Sequence, residues 1–427
     1  MTSASQILED LRKWNTWDKP LEAGFARQTY LNQLVDLIDM PEVVALVGIR
    51  RCGKSFTAYQ LLNHVSQNRV SPQNTLLINF EDPALGLDLN AQDLIAVFEA
   101  YLQVKQPQGK VYIFLDEVQH VKDWQKFVFT LYDTARNDVK IVVTGSNTSL
   151  LDSDISTLLS GRYIHKRIFP LSFKEFLQFK NIDPSTQQRP YLFGSLQEYM
   201  EYGGFPRVVL EGTLEGKNLL LAEYFNSIVE RDIIYHNNLR SKVEVKNLAQ
   251  MLMSNPSQIF SFSKMGNSLG ITPKDMSKYV GYFEDAYLAG LSKKYDTSVK
   301  KQLLNPKKIY LADTGLCTSV GFRFSQNYGH FLENLVYNHL LAKGLDIYYY
   351  TNGGEIDMLC RRGINVKMLV NVCYNLTPEN FDRETKPLIE TDFKDAQKMV
   401  VYWTMDRSLA PVAGVEFVNI LDFLLLL

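Results

Sequence analysis

The run Gly48-Ile49-Arg50-Arg51-Cys52-Gly53-Lys54-Ser55 fits the pattern G-x-x-x-x-G-K-[ST] without interruption. These residue types at this spacing suit a polyphosphate. Glycines let the backbone curl round the anion, so that consecutive N–H groups and the positive end of a following helix face it together. Lys54 would reach the β- and γ-phosphates, and the Ser55 hydroxyl would hold Mg2+, a small cation that prefers oxygen ligands and keeps several waters. That run, with Phe56 after it, is the expected cofactor cradle.

Chemistry on a bound triphosphate also needs a carboxylate to fix the magnesium through water and a group to orient the attacking water. Asp116 and Glu117 follow the apolar run Val111–Leu115 and offer both, Asp116 as metal ligand and Glu117 as the catalytic residue beside Lys54. Another strand-like run, Lys140–Gly145, ends in Ser146 and Asn147, small polar side chains placed to sense the γ-phosphate; Asn147 joins the expected cofactor contacts. Glu81 and Asp82 end a further apolar run and are either tuners of the attacking water or a solvated loop pair. A cation that stabilises charge in the transition state is expected from Arg162, ahead of Arg207, Arg50 and Arg51, although a surface arginine more often pairs with a carboxylate.

These groups need elements to carry them. Apolar runs predict strands at 43–47, 75–80, 111–115, 140–145 and 163–169, with helical stretches between most of them, the pattern of a covered parallel sheet. Strand, loop and helix in that order are the context the phosphate pattern requires. The motifs GIRRCGKS, LINFEDP, YIFLDEVQ, VVTGSNTSLL, LSGRY, FPLSFKEF and YGGFPRVVL together resemble the prokaryotic AAA-type ATPases that carry a winged-helix region and a C-terminal restriction-endonuclease-like domain, over about residues 20–405. The resemblance implies an α/β chain with an ASCE P-loop core, in which an extra strand lies between the phosphate-loop strand and the Asp-Glu strand. It also implies ATP and Mg2+ as cofactors. The expected domains are an N-terminal extension at 1–20, the ATPase core at 21–206, a helical linker at 207–240, a winged helix at 241–320 and a nuclease-like domain at 321–427.

Composition sets the outer limits. The 427 residues carry a net charge of −2 and 46% apolar residues, so no global field draws the chain to nucleic acid or membrane. A local field exists: residues 236–310 hold twelve Lys or Arg against five Asp or Glu, an excess of +7. There the pattern is helix, turn, helix and hairpin, with Thr272 capping and Pro273 opening a helix that bears Lys274 and Lys278, so DNA contact is one expected use and interdomain scaffolding the other. Cys52, Cys317, Cys360 and Cys373 lie far apart, which fits a reduced, cytoplasmic compartment. The polar N-terminus does not read as a signal peptide, and no apolar run is long enough for a membrane span; the final FLLLL reads as a terminal helix packed on its own domain.

The C-terminal stretch resembles the PD-(D/E)XK nuclease fold, with Asp357 and Glu333 at acidic positions of that pattern. Its glutamate and lysine positions hold Asn371 and Cys373, so metal-dependent cleavage is not expected. Glu355, Arg383 and Glu384 remain as polar positions for packing or ligand contact. Three functions fit these readings: an ATP-hydrolysing switch acting on DNA, a protein partner or a second copy of itself; an ATP-dependent DNA-processing nuclease of a defence or mobile-element system; and a non-hydrolysing ATP-binding scaffold.

Overall fold

The structure, a computed structural model, describes residues 4–86, 88–146, 159, 161–320, 328–351 and 353–426. The chain divides into two compact units, Met1–Ile168 and Phe169–Leu427. The break falls earlier than the sequence boundary at 206, because the helices after Pro170 join the core of the second unit.

In the first unit, strands β1 (Val43–Val47), β2 (Thr75–Asn79), β3 (Val111–Asp116), β4 (Val139–Gly145) and β5 (Tyr163–Arg167) form one parallel sheet in the order β2-β3-β4-β1-β5. β1 to β4 are buried throughout, and their Val, Ile and Leu runs are what a sheet covered by helices requires. β5 lies at an edge, is only half-buried, and accordingly carries His165, Lys166 and Arg167. β4 is the strand inserted between β1 and β3, as expected. Register aligns Val47 with Gly145 and Leu115 with Val143, so β1, β3 and β4 end along one rim. Ligands bind at that carboxyl rim in open parallel sheets.

The residues before β1 are part of this unit rather than an appendage. Asn15 uses both ends of its amide on edge strand β2, donating to Leu77 O (2.9 Å) and accepting from Leu77 N (2.7 Å). Trp17 Nε1 donates to Thr75 O at 2.8 Å. Side chains here satisfy edge groups that would otherwise invite another strand. Further along, Gln60 of the helix Lys54–Asn68 donates to Ala23 O and Phe25 O and accepts from Arg27 N, which ties the segment beside the phosphate loop.

The second unit opens with the helices Phe173–Phe179 and Arg189–Tyr202, then Leu214–Ser227 continued by a π-helical stretch to Tyr235. Helices Lys242–Met253, Phe262–Leu269 and Pro273–Asp285 follow, interleaved with β6 (Ile259–Phe260), β7 (Ala289–Lys293) and β8 (Lys307–Leu311), an antiparallel sheet ordered β6-β8-β7. β6 was not anticipated, since two residues are too few for a periodicity to show. Thr272 caps the third of those helices by accepting from Asp275 N, as its position promised, and Lys274 and Lys278 are exposed on it.

A mixed sheet ends the unit. β9 (Asp346–Thr351), β10 (Glu355–Arg362) and β11 (Asn365–Leu376) pair antiparallel, and β12 (Gln397–Met405) and β13 (Glu416–Asn419) continue parallel. Helix Tyr328–Ala342 and the terminal helix Ile420–Leu426 bury Leu332, Val336, Ile420 and Phe423 in one core with Phe173 and Phe176. Phe423 and Leu424 of that terminal helix therefore serve packing, whereas Leu426 is exposed.

Buried Asp313 braces this unit: its carboxylate accepts from Gly204 N (2.7 Å) and Gly315 N (2.9 Å). A Cβ on Gly203 would stand 1.7 Å from Asp313 Oδ1, which accounts for the glycines of YGGFP through packing rather than chemistry.

Candidate nucleotide site

β1 delivers the chain into the loop at Gly48, whose φ is +146° and where a Cβ would stand 2.2 Å from Ile168 O. Only glycine fits so close an approach. Cys52 is fully buried beneath the turn, its thiol donating to Ile168 O at 3.2 Å, and burial first of all pushes that thiol up, away from reactivity. Gly53, at φ +100°, starts the helix Lys54–Asn68, so the loop ends on a helix N-terminus. Arg27 donates to Cys52 O at 3.2 Å and fixes the turn from outside.

Lys54 is buried, its ammonium 3.2 Å from Gly48 O, 3.3 Å from Ile49 O and 3.7 Å from Glu117 Oε1. Ser55 Oγ donates to Asp116 Oδ1 at 2.9 Å. Loop and strand-end acids are therefore in direct contact. Thr144 of β4 links the Asp116 carboxylate to the Glu117 backbone, donating to Asp116 Oδ1 (2.6 Å) and accepting from Glu117 N (2.9 Å). Tyr59 OH completes the ring by donating to Asp116 Oδ2 at 3.0 Å. Glu117 is held at φ +54°, ψ +49°, a left-handed conformation that costs a non-glycine residue ~1–2 kcal/mol. The Thr144 bond to its amide helps to hold it there.

Position drives the two acids apart. Burial, aided by the charge of Glu117, pushes Asp116 above the ordinary carboxylate range despite its hydroxyl donors. Burial alone would raise Glu117 too, but the Lys54 ammonium, the Gln119 amide and Arg50 outweigh it and hold this carboxyl below its ordinary value. Adjacent carboxylates with opposed shifts are suited to different tasks.

The residues fit a magnesium-bound nucleotide. Ser55 Oγ and the Asp116 oxygens form a hard-oxygen donor set, and the first amides of a helix lack intrahelical partners. Gln119 donates to Glu117 Oε2, while its own Oε1 is buried without a hydrogen-bond partner, an unmet acceptor beside that carboxylate.

Other expected residues lie elsewhere. Asn147 falls outside the described residues; Ser146 Oγ accepts from Gln119 Nε2 at 3.5 Å. Glu81 pairs with Arg50 at 3.3 Å near the loop, whereas Asp82 accepts from Trp14 Nε1 and pairs with Lys13, serving the N-terminal segment. Arg162 lies away from the loop of its own chain. Its carbonyl accepts from Val43 N at the start of β1, and its guanidinium lies over Phe129 (4.8 Å) and Tyr132 (5.9 Å). A strand of this length, rising ~3.3 Å per residue, sets it at the end of β1 opposite the loop. Arg207 pairs with Glu211 one helical turn on. The sequence reading missed Thr144, Tyr59, Gln119 and Arg27, although Tyr59 was legible as the fourth residue after Ser55, hence on the same helix face.

A five-stranded parallel sheet with this strand order, loop and acid pair defines a P-loop ATPase-type domain. Residues 40–177 match the family described as an AAA domain, and residues 194–327 match a domain of unknown function. A protein of Haemophilus influenzae is 33% identical over 412 residues, 95% of this chain and 99% of that one. One from Methanocaldococcus jannaschii is 32% identical over 371 residues, covering 83% and 80%. Both are described only as uncharacterised. The chain belongs to the family that includes these proteins. Among solved structures, a Walker-type ATPase of Pyrococcus abyssi aligns with 14% identity over 70% of this chain and 96% of that one, with a TM-score of 0.45.

Proposed function

We propose that the chain binds ATP with Mg2+ and hydrolyses it, and that nucleotide state governs what the second unit contacts. The observation that carries this reading is the contact of Ser55 with Asp116, and of Lys54 with Glu117, at the rim of a parallel sheet. ATP bound here has its phosphates against Lys54 and the loop amides. Ser55 and Asp116 would hold the magnesium, which neutralises phosphate charge. Glu117, ionised and oriented by Lys54, Gln119 and its own strained backbone, accepts the proton of the attacking water. Asn147 remains a candidate for sensing the γ-phosphate.

In the second unit, the three helices and β6-β8-β7 sheet fit a winged helix. Exposed Lys274 and Lys278, within the basic stretch 236–310, support DNA as the contacted partner. The last sheet fits a nuclease-like fold that binds or regulates rather than cleaves. The Asn371 amide stands where the pattern calls for a carboxylate, and it is committed to the backbone, donating to Glu384 O and accepting from Asp357 N.

Phosphate release and nucleotide binding test the first unit together. Glu117→Gln should bind ATP as the native protein does and hydrolyse it ~10²–10⁴-fold more slowly, whereas Lys54→Ala should lose binding. Unchanged ATP affinity in Lys54→Ala would overturn the phosphate assignment; absence of turnover in the native protein would leave the scaffold reading.

A further inference from the structure

Away from the nucleotide site, the second unit contains a buried ion cluster under a cavity of about 1120 Å3. Lys308 of β8 is 4% exposed, and its ammonium lies 2.8 Å from Asp357 Oδ1, 2.8 Å from Glu333 Oε1 and 2.9 Å from Glu355 Oε1. The acids come from two elements, Glu333 from the helix Tyr328–Ala342 and the other two from β10. An ammonium has three N–H donors and no acceptor. Lys308 donates to Asp357 Oδ1 and forms ion pairs with Glu333 and Glu355, so its charge is committed to the three acids.

Two of the acids are fixed in turn. Tyr310 OH donates to Glu333 Oε1 at 2.6 Å, and Val372 N donates to Asp357 Oδ2 at 3.0 Å. Burial alone would lower the affinity of Lys308 for its proton, but Asp357, Glu333 and Glu355 outweigh it and keep the ammonium charged. Converging carboxylate oxygens on rigid elements are the donor set of a hard divalent cation. Yet among the described residues no group of acids, cysteines or histidines is arranged to hold a metal. The point on which these oxygens converge is filled by nitrogen.

We infer that the Lys308 ammonium is a tethered cation standing where Glu333, Glu355 and Asp357 would otherwise hold a divalent metal ion, so that the cavity contains a metal site closed by the chain's own side chain. The site is closed chemically as well as sterically, since a metal ion would have to displace a paired, buried charge that cannot leave. The inference stands apart from the nucleotide reading, and its test needs no ATP.

Titration of the full chain with Mn2+, followed by the electron paramagnetic resonance of the free ion, decides it. Lys308→Met keeps the apolar stem and removes the charge. It should gain one Mn2+ site, at least about tenfold tighter than any the native chain shows in this unit, because the affinity of oxygen sites rises with their net ligand charge. Adding Asp357→Asn to that variant should abolish the gained site. A folded Lys308→Met that binds no more Mn2+ than the native chain overturns the inference. Should Lys308→Met fail to fold, the melting temperature of the native chain and of Asp357→Asn is compared with and without Mn2+. An equal response supports a closed site, and a Mn2+ shift in the native chain that Asp357→Asn removes overturns it.

Discussion

The opposed shifts of Asp116 and Glu117 make a statement about pH. On the proposed reading Asp116 is ionised to hold magnesium and Glu117 to accept a proton, and their free pKa values would lie close together, near ~4. Burial raises Asp116 while Lys54 and Gln119 hold Glu117 down. As pH falls, Asp116 therefore takes up its proton first, and the acidic limb of kcat/KM should report this residue and lie above the ordinary aspartate value. Protons and Mg2+ compete for one carboxylate, so raising Mg2+ should move the limb to lower pH. Rate profiles at low and high Mg2+ check the direction, and a limb that ignores Mg2+ would assign it to another group. Tyr59→Phe bears on the same carboxylate: losing the donor to Asp116 Oδ2 should weaken Mg2+ dependence of turnover by ~2–10-fold, the effect of a hydrogen bond worth ~0.5–1.5 kcal/mol, while leaving nucleotide binding without metal unchanged.

At the scale of elements, two supports are polar side chains bonded to backbone. Asp313 accepts from the amides of Gly204 and Gly315, so Asp313→Ala should orphan two buried donors at ~1–3 kcal/mol each and lower the urea midpoint of the second unit accordingly. Removal of residues 1–20 should expose the edge of β2 that Asn15 and Trp17 cover, with loss of solubility as the readout in light scattering. What the sequence revealed and concealed follows from the same physics. β1 to β4 were legible to within a residue or so because a doubly covered strand must be a continuous apolar run, and the phosphate loop was legible because few patterns do its work. Asn15, Asp313 and Lys308 were not, since a polar residue whose partners lie tens or hundreds of positions away leaves no local periodicity. Lys140 is the clearest case. It begins a strand that reads as apolar, and its buried ammonium donates to the carbonyls of Leu37, Met40 and Glu42, fixing the turn that feeds β1.

For the molecule as a whole, the proposed hydrolysis calls for a cation that stabilises the transition state. Arg162 lies at the opposite end of β1 from the phosphate loop, and Arg207 serves its own helix. Arg27 donates to the loop carbonyl of Cys52, whereas Arg50 pairs with Glu81 and lies close enough to bias Glu117, which makes it a candidate within the chain. A finger supplied by a second copy is the alternative, and the two make different use of concentration. A cation within the chain gives turnover proportional to protein at every dilution. One supplied by a neighbour gives turnover per chain that rises as copies associate, because the competent species is formed by mass action. Mixing separates them further. Arg50→Ala chains should stay inactive when Lys54→Ala chains are added if Arg50 acts within its own chain, whereas an arginine donated across an interface should let those nucleotide-free chains restore activity. Constant turnover per chain across the dilution series, with an inactive Arg50→Ala that mixing does not rescue, would place the complete catalytic apparatus within the first unit and leave the second to read out the nucleotide.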